Sequence, residues 1–157
     1  MKFYYDLHIH SDLSPCASSD MTPNNIINMS VIKGLNIISV TDHNSTANLR
    51  AVTELGEGAG IKTIPGIEVT TKEEVHVLCY FRNIDNATEF GGIIYDSLPF
   101  VKNNPEIFGE QNIYNCRDEI TGTLEKLLIN ASSYSIEDIY YIAKKYDGVM
   151  IPAHINK

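Results

Sequence analysis

Residues 3–10, Phe-Tyr-Tyr-Asp-Leu-His-Ile-His, constrain this chain more than any other stretch, because they alternate with the period of a β-strand and end in ligating groups. Side chains two apart share a face of a strand, so Asp6, His8 and His10 point one way and Tyr5, Leu7 and Ile9 the other. Two imidazoles so placed can grip one ion, and neutral imidazole suits Zn, Fe and Mn. An isolated His-x-His also fits a strand whose polar face simply meets solvent. The rest of the histidine inventory favours the ion. The chain has five histidines, His8, His10, His43, His76 and His154, each at or near the edge of an apolar run and none inside a predicted helix.

The runs between them follow a regular order. Thr22-Pro23 reads as the N-cap and first residue of a helix that stops at Gly34. Leu35 to Thr41 reads as a buried parallel strand delivering Thr41-Asp42-His43, and Thr46 to Glu57 as a second helix ended by Gly56, Gly58 and Gly60. Ile61 to Val69 reads as a third strand, carrying Glu68. Strand, helix, strand, helix, strand with short connections is the pattern of right-handed βαβ units. Such folds place their sites at the C-terminal ends of their strands.

Thr70 to Glu74 is too short for a crossover helix, so Val75 to Phe81 should return as the second arm of a hairpin. A turn centred on Lys72 sets Glu68 opposite His76 on one face, with Cβ atoms roughly 5 Å apart. A plain surface Glu–His pair is the competing account. From Arg82 to Leu128 the pattern weakens: loop and short helix over Asp85 to Tyr95, Gly91-Gly92 as punctuation, and a hairpin over Gln111 to Gly122 turning near Arg117-Asp118. Ser135 opens a last helix that ends at Asp147-Gly148, and Val149 to His154 forms a strand with a histidine at its far end.

With 157 residues and 43% hydrophobic content the chain is expected to bury one core as a single domain over residues 1–157. A net charge of −8 gives no electrostatic footprint for nucleic-acid backbone or an anionic membrane. Any phosphate would then be held mainly by metal. Cys16, Cys79 and Cys116 form no Cys-x-x-Cys pair, and neither a signal-peptide pattern nor a membrane-length apolar run is present, so a cytoplasmic protein is expected.

Asp6-Leu7-His8-Ile9-His10-Ser11, Thr41-Asp42-His43, Pro65-Gly66-Ile67-Glu68, His76-Val77-Leu78 and Pro152-Ala153-His154, in this order, resemble the PHP (polymerase and histidinol phosphatase) family of metal-dependent phosphoesterases. The resemblance implies an α/β fold, part of a distorted (β/α)7 barrel with two to three divalent ions, Zn, Mn or Fe, at the C-terminal ends of its strands. It further implies that His8, His10 and Glu68 hold one ion, that Glu68 bridges to a second held by His76 and His154, and that His43 with a residue from the loop after the first strand holds a third. Asp20 is the favoured loop ligand over Cys16, because Ser19-Asp20 before Thr22-Pro23 resembles the family's loop. Asp6 and Asp42 would orient imidazoles by hydrogen bonds.

The implied reaction is metal-assisted hydrolysis of a phosphorylated small molecule or nucleotide, with no side-chain nucleophile required. The family's closing Asp-x-His is not found, so a domain truncated at its C-terminus, open-edged and prone to homo-oligomerisation, is expected. Two other readings stand beside it: a noncatalytic metal-binding or regulatory module, and an amidohydrolase-type hydrolase, which shares only the opening His-x-His.

Overall fold

The computed structural model describes residues 2–154. Its first half is the expected βαβ arrangement. Strand β1 (Tyr5–Ile9) leads to helix α1 (Pro23–Ile32), strand β2 (Ile37–Val40), helix α2 (Leu49–Gly58) and the short strand β3 (Lys62–Thr63), and the three strands pair in parallel in that order. Ile26, Ile27, Ile38, Val40, Val52 and Ile61 form the core between this sheet and its helices. Thr22 caps α1 by accepting from the Asn25 amide, and Pro23 fills the first helical turn, where its missing N–H costs nothing. Helix α2 starts at Leu49, three residues after the expected Thr46 and at the head of its apolar stripe. The Asn48 side chain bonds Ser11 and Asn112 instead of capping the helix.

The strand expected over Ile61 to Val69 is broken. Pro65 has no N–H to give a ladder, and beyond it the chain passes from the first sheet into a second, in which β4 (Gly66–Thr70) pairs antiparallel with β5 (His76–Tyr80). A parallel bridge between His43 and Glu68 joins the two sheets. Gly66 lies at this junction because a Cβ would come within 2.8 Å of Thr41 Cγ2 and would also strike Ser39 Oγ.

The hairpin is present but its register is not the expected one. Thr70 faces His76 and Glu68 faces Leu78, which centres the turn on Glu73 rather than Lys72. A shift of two residues preserves faces, so Ile67, Val69, Val77 and Cys79 enter the second core while Glu68, Thr70 and His76 line the opposite side. That core is closed by helix α3 (Ile84–Ser97) through Ala87, Phe90 and Ile94, and by helix α5 (Ile136–Lys145) through Ile139 and Ala143.

Helix α3 corrects the reading of loop and short helix. Its fourteen residues include Gly91, which is not punctuation but a close approach, since a Cβ there would strike the Thr46 side chain. Between α3 and α5 lie the single turn α4 (Pro105–Phe108) and the expected hairpin of β6 (Asn112–Tyr114) and β7 (Ile120–Thr123). Strand β8 (Val149–Pro152) then pairs antiparallel with β5. Among the described residues the strands thus make a mixed α/β fold of two three-stranded sheets and a hairpin, in which only the first sheet is parallel. No helix among the described residues is long and apolar enough to cross a membrane.

Candidate metal centre

Glu68 is fully buried, and all five histidines surround its carboxylate. Period-two geometry on β1 brings His8 Nε2 and His10 Nε2 to 3.2 and 3.1 Å from Glu68 Oε2, with His43 Nδ1 at 3.4 Å from the same oxygen. The other oxygen, Oε1, faces His76 Nδ1 at 3.1 Å and His154 Nε2 at 3.3 Å. His76 is the first residue of β5, so it arrives at the N-terminal end of its strand. An antiparallel neighbour presents its start to the rim where its partner ends, as the hairpin reading implies. His154 reaches His76 directly, since the Ala153 amide donates to the His76 carbonyl at 2.9 Å.

A short buried relay fixes one of the rings. Asp42 accepts from the Ser11 amide, the Ser11 hydroxyl and the Ser14 hydroxyl at 2.6–2.7 Å. Ser14 has one proton, and it goes to Asp42, so Ser14 Oγ accepts from the His43 amide at 3.0 Å and from His10 Nδ1 at 3.2 Å. That assigns the His10 proton to Nδ1 and leaves the Nε2 lone pair aimed at Glu68 Oε2. Two acceptors 3.1 Å apart in a buried site call for a cation between them. Glu68 Oε2 and His43 Nδ1 are both buried without a hydrogen-bond partner, which is the second sign that these residues fit a metal.

Burial alone would raise the Glu68 carboxyl, but the His10 and His8 imidazoles outweigh it and hold Glu68 well below the usual carboxylate range. Burial, reinforced by neighbouring His10, pushes His43 down to about 4, so its ring is neutral near pH 7 with a lone pair to give. The Glu68 carboxylate beside it raises His8 against the opposing pull of burial. Burial raises Asp42 against the opposing bonds from Ser11 and Ser14.

Of the residues singled out in the sequence, His8, His10, His43, Glu68, His76 and His154 come together, and Asp20 does not. Successive turns from Ser11 to Met21 fold Ser11–Ser14 inward and leave Asp20 exposed, its carbonyl accepting from the Asn25 side chain. The loop residue that does reach the cluster is Cys16: one ligand atom each of His10, Cys16 and His43 lies within 4.8 Å of the others. Two further groups meet the same criterion, His8 with Glu68 and His154, and His43 with Glu68 and His76. Asp6 is exposed and accepts from the His8 amide, so it steadies the strand and not an imidazole. Ser11 and Ser14 were not legible as site residues; their only signal is that they follow His10 at one and four positions.

A buried carboxylate facing five imidazoles on a mixed α/β scaffold is a donor set that fits divalent metal. Residues 6–151 match the PHP domain, and the chain belongs to that family. Over 78 residues it is 36% identical to the phosphoribosyl 1,2-cyclic phosphate 1,2-diphosphodiesterase of Eggerthella lenta, a match covering 46% of this chain and 29% of that one. In structure it resembles a Bifidobacterium adolescentis protein assigned as a metal-dependent phosphoesterase, with TM-score 0.67 and 16% identity over 98% of this chain and 68% of the other. It also resembles the lesion-specific endonuclease Q of Pyrococcus furiosus, with TM-score 0.65 and 23% identity over 98% and 35%. At these identities the structural likeness establishes the fold. The chain spans less than a third of the length of the curated relatives it matches.

Proposed function

We propose that this chain carries the metal centre of a phosphoester hydrolase. The observation that carries the reading is the division of the Glu68 carboxylate, with His8 and His10 on Oε2 and His76 and His154 on Oε1, which fits one carboxylate shared between two ions. His43 and the loop after β1 would serve a third. Divalent ions bound there supply an activated water near neutral pH and positive charge for phosphate oxygens and the departing alkoxide. The protein's part is positional. Ser14 and Asp42 hold His10 in one tautomer, burial keeps His43 neutral, and the ionised Glu68 offsets charge at the centre.

The substrate class we infer is a phosphorylated small molecule or nucleotide, in line with the cyclic phosphate diester named for the Eggerthella lenta relative. The two sheets would form an arc of a distorted (β/α)7 barrel, a reading supported by the parallel run of β1, β2 and β3 and by the bridge to β4. Three free cysteines suit a reducing, cytoplasmic setting.

The test is elemental analysis of the purified protein together with a panel of phosphomonoesters, phosphodiesters and cyclic phosphates, run on wild type and Glu68→Gln. The amide keeps the shape of the carboxylate but not its charge, so the variant should keep its fold and lose most bound metal and turnover. Wild-type metal content in Glu68→Gln would refute the shared carboxylate. Metal without turnover on any phosphoester would reduce the protein to a metal-binding module, and turnover of amides or lactones alone would place it with the amidohydrolases.

A further inference from the structure

The Asn48 side chain, fully buried at the start of α2, is gripped by the backbone of the β6–β7 hairpin. Its Nδ2 donates to the Asn112 carbonyl at 3.1 Å, and its Oδ1 accepts from the Tyr114 amide at 2.8 Å. These two groups, two residues apart on β6, share one edge of that strand, and Asn48 fills it as a neighbouring strand would. A carbonyl can only accept and an amide N–H only donate, so the carboxamide has one orientation. Its second Nδ2 proton must then point at Ser11 Oγ, 3.0 Å away. The hairpin holds the same loop one residue further on, where Asp12 accepts from Asn112 Nδ2 at 2.9 Å and from the Tyr114 hydroxyl. Its tip is anchored too, with Asp118 accepting from the Thr22 hydroxyl at 2.6 Å and the Asn24 amide at 3.1 Å.

We propose that Asn48 is a positioning residue of the metal centre, through which the β6–β7 hairpin sets the polarity of the buried relay that ends at His10. The proposal rests on the metal-centre reading above. Ser11 Oγ accepts from Asn48 and, at 3.3 Å, from the Leu13 amide, so its single proton goes to Asp42 Oδ2 at 2.6 Å. Among the described residues that is the one donor Oδ2 has, while Oδ1 takes the Ser11 amide and the Ser14 hydroxyl. With both oxygens held the carboxylate cannot turn, and Ser14 stays where its own oxygen receives the His10 Nδ1 proton. Asn48→Asp puts an acceptor where Ser11 needs a donor and draws the Ser11 proton off Asp42. Oδ2 is then bare in a buried site, which the carboxylate relieves by turning, and Ser14 and the His10 ring shift with it. Coupling of this kind is reciprocal: if the docked hairpin strengthens metal binding, bound metal holds the hairpin down.

The experiment measures zinc affinity of the full chain by competition with a chromophoric chelator, for wild type, Asn48→Ala, Asn48→Asp, Ser11→Ala and the double variant Ser11→Ala with Asn48→Ala. Both single Asn48 variants should bind zinc about 10-fold more weakly, the lower end of what an outer partner of a metal ligand contributes. Asn48→Asp fills the space of the carboxamide, so wild-type affinity in that variant would overturn the proposal. In the Ser11→Ala background, Asn48→Ala should change affinity by less than about 2-fold, because the relay is already cut. A full second loss there would show that Asn48 acts only as general support for the fold, and would overturn the proposal as well. A second measurement uses wild type alone and so holds where a variant fails to fold. Zinc should slow hydrogen exchange of the Tyr114 amide, which bonds Asn48, and leave unchanged that of the Asn115 amide, which bonds the Glu119 carbonyl within the hairpin. Equal rates for Tyr114 with and without zinc would sink the coupling while the metal centre stands. Absence of any bound zinc would overturn both together.

Discussion

Asp42 shows how much of the site depends on residues that never reach the metal. Its two oxygens accept from three donors, so Asp42→Asn places a donor against a donor whichever way the amide turns. Unfolding in denaturant should show a loss of about 1–3 kcal/mol for that unsatisfied buried pair. The same change frees Ser14 to rotate away from His10 Nδ1, and zinc affinity should fall about 10–100-fold, read by competition with a chromophoric chelator. Among the ligands themselves, the division of Glu68 makes a sharper claim. His8→Ala and His10→Ala should weaken the same ion, and the double variant should lose no more metal than either alone, whereas His8→Ala with His76→Ala should lose two ions. Loss of two ions in the His8 and His10 double variant would show that the strand does not present both rings to one metal.

At the level of the elements, the site hangs on the junction where β2 hands over to β4. Gly66 is the tight point, with Thr41 and Ser39 where a methyl group would stand, and it lies two residues before Glu68. Gly66→Ala should cost about 1–3 kcal/mol through overpacking and, by tilting β4, weaken metal binding as well. Helix α5 makes the contrasting case. Ser135 and Asp138 form a reciprocal capping box at its start, and the helix packs on the far face of the second sheet from Glu68. Ser135→Ala should cost about 1 kcal/mol of stability while metal stoichiometry stays at the wild-type value. If both substitutions shift metal content equally, the two faces of the sheet are coupled more strongly than their packing indicates.

For the whole molecule, five imidazoles and one carboxylate gathered without an intervening cation leave buried acceptors facing one another, so metal and fold should stabilise each other. Zinc at about a hundred times its dissociation constant should add about 2.7 kcal/mol, raising Tm by about 5–11 °C, and EDTA should reverse the shift. Glu68→Gln should show almost none of it. A second whole-molecule property lies at the sheet margins. Among the described residues β1 pairs only with β2 and β8 only with β5, and Tyr5 and Val149 on these strands are more than half exposed. Free edges with apolar side chains favour self-association. Sedimentation velocity should show reversible oligomers growing with concentration; a monomer throughout a hundredfold range would count against open edges.

The sequence by itself determined which residues meet. Period-two alternation on β1, the apolar runs ending in His43 and Glu68, and a turn too short for a crossover placed six of the seven expected ligands in one cluster, because strand faces survive errors in element length. The two-residue slip of the β4–β5 register shows this: it moved the partner of Glu68 from His76 to Leu78 and left both ligands on the same side. What only the tertiary structure decided are the matters settled by contacts between residues far apart in the chain. Asn48 forgoes its helix to bond Ser11 and Asn112, Gly91 makes room for Thr46, and Pro65 lets one predicted strand serve two sheets. That Cys16 and not Asp20 lies beside His10 and His43 belongs here too. Which end of the loop turns inward is fixed by the buried Asp42 gathering Ser11 and Ser14 across 31 and 28 residues of sequence, and local propensity carries no trace of such a bond.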